Sequence, residues 1–172
     1  MASPVTDPTV TEGPPAPAPS RTGDILLRAW LTVGVVDALW ACVFALVNGR
    51  SIEQLWKGVA AVPFGPAMME GGAVVAGVGL LMHFVTAFTW SAVFLVAYTR
   101  WASLRRMLDA PAGIAGVSAV YGPLIWIVMS MGVIPVFTGS PGSFTLRWAI
   151  QLCGHVPFVG LPIVWSVVKG SR

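Results

Sequence analysis

The chain has 172 residues, 56% of them hydrophobic and only 10% charged, with a mean hydropathy of +0.79. Soluble domains carry about 25% charged residues. Ten basic and seven acidic side chains cannot clothe a soluble surface around eight Trp and eight Phe. A water-soluble globular enzyme, a disordered chain and a nucleic-acid binder are thereby excluded, and an all-α, polytopic membrane protein in contact with the lipid bilayer remains.

Residues 1–22 hold Pro4, Pro8, Pro14, Pro15, Pro17 and Pro19 and almost no large apolar side chain. Such a segment buries too little surface to offset its ordering entropy, so it reads as a disordered tail ahead of a membrane domain at 23–172. It lacks the basic start and apolar stretch of a signal peptide. Four runs then reach the length of about 20 apolar residues that a bilayer requires: Ile25–Asn48, Met69–Tyr98, Gly113–Val136 and Arg147–Val168. The second is the longest, so it tilts or lays its first turns at the interface.

Between the first two spans, Ser51-Ile-Glu-Gln54 has the capping-box pattern of a helix start. Ile52, Leu55, Trp56 and Val59 follow at helical spacing, and Pro63 ends the run. The reading is a short amphipathic helix lying on the interface, either as a connector or as a lid over a cavity. Arg21, Arg28, Arg100, Arg105, Arg106, Lys169 and Arg172 fall on the side of the termini and middle loop, against Arg50, Lys57 and Arg147 opposite. Positive charge marks the cytoplasmic face, so both termini are expected inside a bacterial inner membrane. Tyr98, Trp101, Trp165, Trp56 and Trp148 are assigned to interfacial belts.

Small residues form seams for close helix approach: Gly34, Ala38, Ala41 and Ala45 in span one; Gly72, Ala76, Gly79 and Ala87, with His83, in span two; Ala112, Gly116 and Ala119 in span three. They predict a compact four-helix bundle, and serve equally well as seams of a homo-oligomer or of a larger membrane complex. Pro123, Pro157 and Pro162 interrupt spans three and four, as packing kinks or as the broken helices that line transporter sites. Cys42 and Cys153 read as small buried hydrophobes.

Ionisable groups inside a bilayer are costly and are function candidates by default. With a rise of 1.5 Å per residue from the outer span ends, His155 lies about 12 Å deep, Asp37 about 16 Å and His83 about 21 Å. Asp37, His83 and His155 thus form a midplane polar cluster on three helices. Arg147, Gln151 and His155 share one face of span four and mark a polar path from the surface, with Glu70 near enough to pair with Arg147. Three roles stay open for the cluster: structural glue, a proton or small-solute site, and bis-His haem ligation by His83 and His155. The depth offset of about 9 Å speaks against haem, and no two of the three share a helix at metal-ligand spacing. There is no HExxH, GxSxG or CxxC, so no catalytic residue is assigned and an enzyme is not the expected reading.

Taken in order, Gly34-Val-Val-Asp37, Gly71-Gly72 leading to Leu80-Leu-Met-His83-Phe84, Tyr121-Gly122, and Gly154-His155 with Val159-Gly-Leu-Pro-Ile163 resemble the YagU-like group of small bacterial inner-membrane proteins. The resemblance spans about 25–168. It implies a four-helix inner-membrane protein with an Asp in span one and a His in each of spans two and four, and implies no particular activity. The leading expectation is a non-enzymatic structural or accessory component of a membrane complex or homo-oligomer. The alternatives are a proton-linked channel or transporter of a small solute, and a haem-binding membrane protein.

Overall fold

The computed structural model describes residues 19–172, and all of their regular structure is helical. The chain runs α1 (Pro19–Val47), α2 (Ile52–Phe64), a 3-10 turn (Pro66–Glu70), α3 (Ala73–Arg100), α4 (Ala102–Met107) and α5 (Pro111–Ile127). A π-helical segment (Val128–Val133) continues into α6 (Ile134–Thr138); α7 (Leu146–His155) passes through a second π segment (Val156–Gly160) into α8 (Leu161–Ser171). Four continuous stretches are long and apolar enough to cross a membrane: Arg21–Val47, Ala73–Arg100, Pro111–Thr138 and Leu146–Ser171. The all-α, four-helix membrane bundle read from composition is the fold. Of the tail assigned to 1–22, residues 1–18 lie outside the described residues, and α1 begins at Pro19, within that assignment. Proline suits a first helical turn because its missing N–H has no intrahelical partner there.

The solid part of the bundle lies at the end that carries Pro19 and Arg172. Ile25, Ala29 and Val33 repeat every four residues along α1 and meet Ile163, Val164 and Val167 of α8, all almost fully buried. Lipid is as apolar as leucine, so this end is held by close packing more than by water exclusion. The packing is tightest where glycine lets backbones cross. At Gly160, an added Cβ would collide with the Ser118 carbonyl of α5, and at Gly122 with the His155 carbonyl. Aromatic donors tie helices to one another through backbone carbonyls. Trp30 Nε1 donates to Phe84 O at 2.8 Å, and Tyr121 Oη donates to Trp90 O at 2.7 Å.

Several sequence expectations change here. Gly34, Gly79 and Ala87 are packing contacts, but Ala112, Gly116 and Ala119 face outward, and no atom lies within 4 Å of a Cβ added at Gly116. The packed face of α5 is Ser118, Gly122 and Ile125 instead. Tyr98 and Trp56 are buried and belong to no interfacial belt, whereas Trp101 and Trp165 are exposed. Cys153 is exposed and both cysteines are free thiols, so only Cys42 is partly covered. Pro123 sits inside a continuous α5, while Pro157 falls in the second π segment, where the widened turn re-satisfies backbone groups that a proline leaves unpaired.

Helix α2 starts at the expected capping box. Gln54 N donates to Ser51 Oγ at 3.1 Å, and Ser51 N donates to Gln54 Oε1 at 3.0 Å. The helix does not merely lie on the surface. It crosses α3 where Gly79 has no side chain, burying Trp56 and Ala60 against it. Gly49 and Gly65 flank it, both at positive φ (75° and 90°), which non-glycine residues seldom adopt.

Candidate functional site

Away from the solid end, the four spans splay around a cavity of about 330 Å³. Asp37 of α1, His83 of α3 and His155 of α7 all line it. Sequence depths had separated the two histidines by about 9 Å, and the structure removes that offset. Span two begins at Ala73, not Met69, and span four at Leu146. Counted from these ends at 1.5 Å per residue, Asp37 and His83 each lie about 15 Å deep and His155 about 14 Å. By this count the three side chains lie at similar depth, and all three line the one cavity.

Each imidazole is oriented by a carbonyl oxygen, which only accepts. His83 Nε2 donates to Gly34 O at 3.0 Å, and His155 Nδ1 donates to Gln151 O at 2.7 Å. The carbonyls fix where the protons sit. A neutral His83 then carries its lone pair on Nδ1, and a neutral His155 on Nε2. His83 Nδ1 stands 3.9 Å from Asp37 Oδ2, too far for a direct hydrogen bond. Among the described residues, none donates a hydrogen bond to the Asp37 carboxylate or contacts the remaining nitrogen of either histidine at hydrogen-bonding distance. Trp56 and Phe84 brace the His83 ring at centroid distances of 5.3 and 5.5 Å, and Trp126 braces His155 at 4.9 Å. His155 is 8% exposed.

The rest of the cavity is almost wholly apolar. Val59, Val62 and Pro63 place α2 over it as a wall, the lid alternative of the two sequence readings, and Val159 and Ile163 close it toward the solid end. Thr86, a further polar group, spends its hydroxyl on Met82 O at 3.0 Å. On one flank the wall is open. Helices α3 and α5 are bridged by Tyr121, whose ring meets Trp90 and Phe94. Beyond that bridge Val85 of α3 and Phe137 of α6 line the cavity and are 49% and 59% exposed.

The polar path does not reach His155. Arg147 and Gln151 line a second cleft of about 360 Å³, with the loop at 139–145, and His155 is not part of it. Trp126 lines both hollows and separates them. It is pinned by a ring of bonds: Trp126 Nε1 donates to Trp148 O at 3.1 Å, Trp148 Nε1 to Ser130 Oγ at 2.9 Å, and Ser130 Oγ to Trp126 O at 2.6 Å. Gln151 Oε1 is itself occupied, accepting from Trp40 Nε1 at 2.7 Å. Glu70 and Arg147 are both exposed, and no ion pair joins them among the described residues. Sequence reasoning overlooked Trp126, Ser130 and Trp40. Its available signal was an indole N–H in mid-span, which needs a partner wherever lipid offers none.

No three His, Cys, Asp or Glu side chains among the described residues stand close enough to hold a metal ion. What the arrangement offers is one carboxylate and two imidazole lone pairs at the polar wall of an apolar cavity. Comparison with known proteins adds no assignment: no family model, no curated protein and no solved structure matches the chain.

Proposed function

We propose that this multi-pass membrane protein binds a small solute at Asp37, His83 and His155 and moves it in a proton-linked manner. The observation that carries the reading is the meeting of three ionisable side chains from α1, α3 and α7 in one otherwise apolar cavity. A structural cluster would pair these groups with one another, since polar side chains in lipid gain from bonding across helices. Here Asp37 and His83 are 3.9 Å apart and unbonded. One donor atom about 2.8 Å from each closes a triangle with an apex angle of about 90°, which bent hydrogen bonds from a hydroxyl or ammonium centre tolerate. The site has room for that group, and imidazole is the side chain type whose ordinary pKa lies nearest neutral pH.

The resemblance to YagU-like proteins and the surplus of Lys and Arg on the terminal side support a bacterial inner membrane with both termini cytoplasmic. The test is decay of an imposed pH gradient in proteoliposomes. The wild type is expected to dissipate it faster than Asp37→Asn or His155→Ala. Equal rates in all three end the proton-linked reading. An absorbance spectrum of the purified protein separates it from haem ligation. A Soret band would reassign them as axial ligands.

A second reading, a self-associating or accessory component, is favoured by the outward-facing Ala112, Gly116 and Ala119. Mass determination in detergent tests it, and a monomer without partners counts against it.

A further inference from the structure

We infer that the solute is a lipophilic amine, held as its ammonium ion with the nitrogen at Asp37 and the apolar body along α3. The inference rests on the binding reading above and adds the chemistry of the occupant. Three observations lead to it. First, the polar wall presents acceptors. Gly34 O and Gln151 O each take a ring N–H, from His83 Nε2 and His155 Nδ1, so a neutral ring has an acceptor as its other nitrogen, His83 Nδ1 or His155 Nε2. Second, Asp37 is a carboxylate at mid-depth with no hydrogen-bond donor among the described residues, and its nearest ionisable neighbour is 3.9 Å away. A carboxylate at that depth without a hydrogen-bond donor is costly, and a ligand that brings both positive charge and N–H donors relieves it. A carboxylate-bearing ligand brings neither and meets like charge. A hydroxyl brings a donor and no charge.

Third, the remainder of the cavity suits a hydrocarbon body with a cation at one end. Beyond the polar wall the surroundings are Met82, Val85, Met129 and Val133, with the aromatic rings of Trp90 and Trp126 lining the same space. Aromatic faces attract cations as well as apolar groups. Val85 and Phe137, both about half or more exposed, line this apolar part of the cavity, so its surroundings suit the chain of an amphiphile. A volume of about 330 Å³ is at the lower end of small-molecule sites, which run from roughly 300 to 1,000 Å³, and sets the scale at a short-chain amine.

The experiment uses three probes of equal chain length, 6-bromohexylamine, 6-bromohexanol and 6-bromohexanoate, whose bromine quenches nearby tryptophan. Full-length protein is reconstituted in phosphatidylcholine vesicles, and quenching is expressed against the amount of probe bound to lipid. The amine is expected to quench with an affinity about tenfold or more above the alcohol, the worth of a hydrogen bond to a charged group. The hexanoate is expected to give no saturable quenching. Saturable quenching should fall in Trp90→Phe and in Trp126→Phe, and Asp37→Asn should bring amine and alcohol to equal affinity. The wild-type comparison decides the matter even if Asp37→Asn does not fold. Alcohol binding as well as amine overturns the amine inference and leaves the cavity a binding site. Absence of saturable quenching by all three probes, with pH-gradient decay unaltered in Asp37→Asn, overturns both.

Discussion

Replacing Gly79 with alanine tests the α2–α3 crossing, because the clash is with backbone and cannot be relieved by a rotamer. A Cβ at Gly79 would overlap the Trp56 carbonyl oxygen, stand 2.6 Å from Trp56 C and 3.2 Å from Ala60 N. Ordinary contact begins at 3.4 Å, so relieving the Trp56 C contact alone (from 2.6 to 3.4 Å) moves α2 away from α3 by at least 0.8 Å. Inserting a methyl into a closed contact of this kind costs about 1–3 kcal/mol. For a chain of this size each 1 kcal/mol corresponds to about 2–4 °C in melting temperature. The expected result for Gly79→Ala is therefore a fall of several degrees in thermal unfolding followed by tryptophan fluorescence. Trp56 should also separate from the His83 ring, and Val59, Val62 and Pro63 should draw back from the cavity. Gly77→Ala is the matched control, one turn-fraction away in the same helix with nothing within 4 Å of the added methyl. Alanine is the better helix former, so that variant should be as stable as the wild type or more so. If Gly79→Ala melts no lower than Gly77→Ala, α2 does not cross α3 as described.

Gly122→Ala and Gly160→Ala each drive a methyl into the backbone crossing between α5 and the span made by α7 and α8; each should cost about 1–3 kcal/mol, and because they share one contact the double variant should cost less than the sum, as a double-mutant cycle on melting temperatures would read. Trp40→Phe removes the bond to Gln151 while keeping an aromatic ring against Phe158; a loss of about 0.6 kcal/mol is expected from the average worth of such bonds in a bilayer, measured by unfolding in detergent. Arg147→Gln and Glu70→Gln should leave the melting temperature unchanged, since neither side chain is paired to the other; a drop shared by both would reinstate the pair. In unfractionated membranes a lipid-permeable maleimide should label Cys153 before Cys42, and mass spectrometry of the two peptides gives the order.

The spans were legible because hydrocarbon thickness imposes its length on any chain that crosses it, whatever the sequence details. The start of α2 was legible for a local reason, the reciprocal bonding of Ser51 and Gln54. Which face of a span turns inward was less so. In a lipid-soluble helix every side is apolar, and α5 offers two small-residue faces, Ala112–Gly116–Ala119 and Ser118–Gly122. Only the position of Gly160 selects the second. The cluster of Asp37, His83 and His155 was legible as a midplane group on three helices, but with too large a depth offset between the two histidines. Its assembly depends on where spans two and four begin, and a four-residue error at Met69 shifted His83 by about 6 Å. The cavity itself has no signature in the sequence, because it arises where helices diverge. The indole N–H of Trp126 is a sequence signal for a bonded partner, but its role as a partition appears only once two hollows lie on either side of it.

The contrast between the close-packed terminal end and the hollow opposite end has a mechanical consequence. Close-packed interiors resist compression, whereas internal voids are what pressure eliminates. In this bundle the cavity lies in the half walled by α2, and α1 packs closely on α8 at the other end. Hydrostatic pressure is thus expected to act first on the hollow half, where there is void volume to lose, and least on the close-packed α1–α8 end.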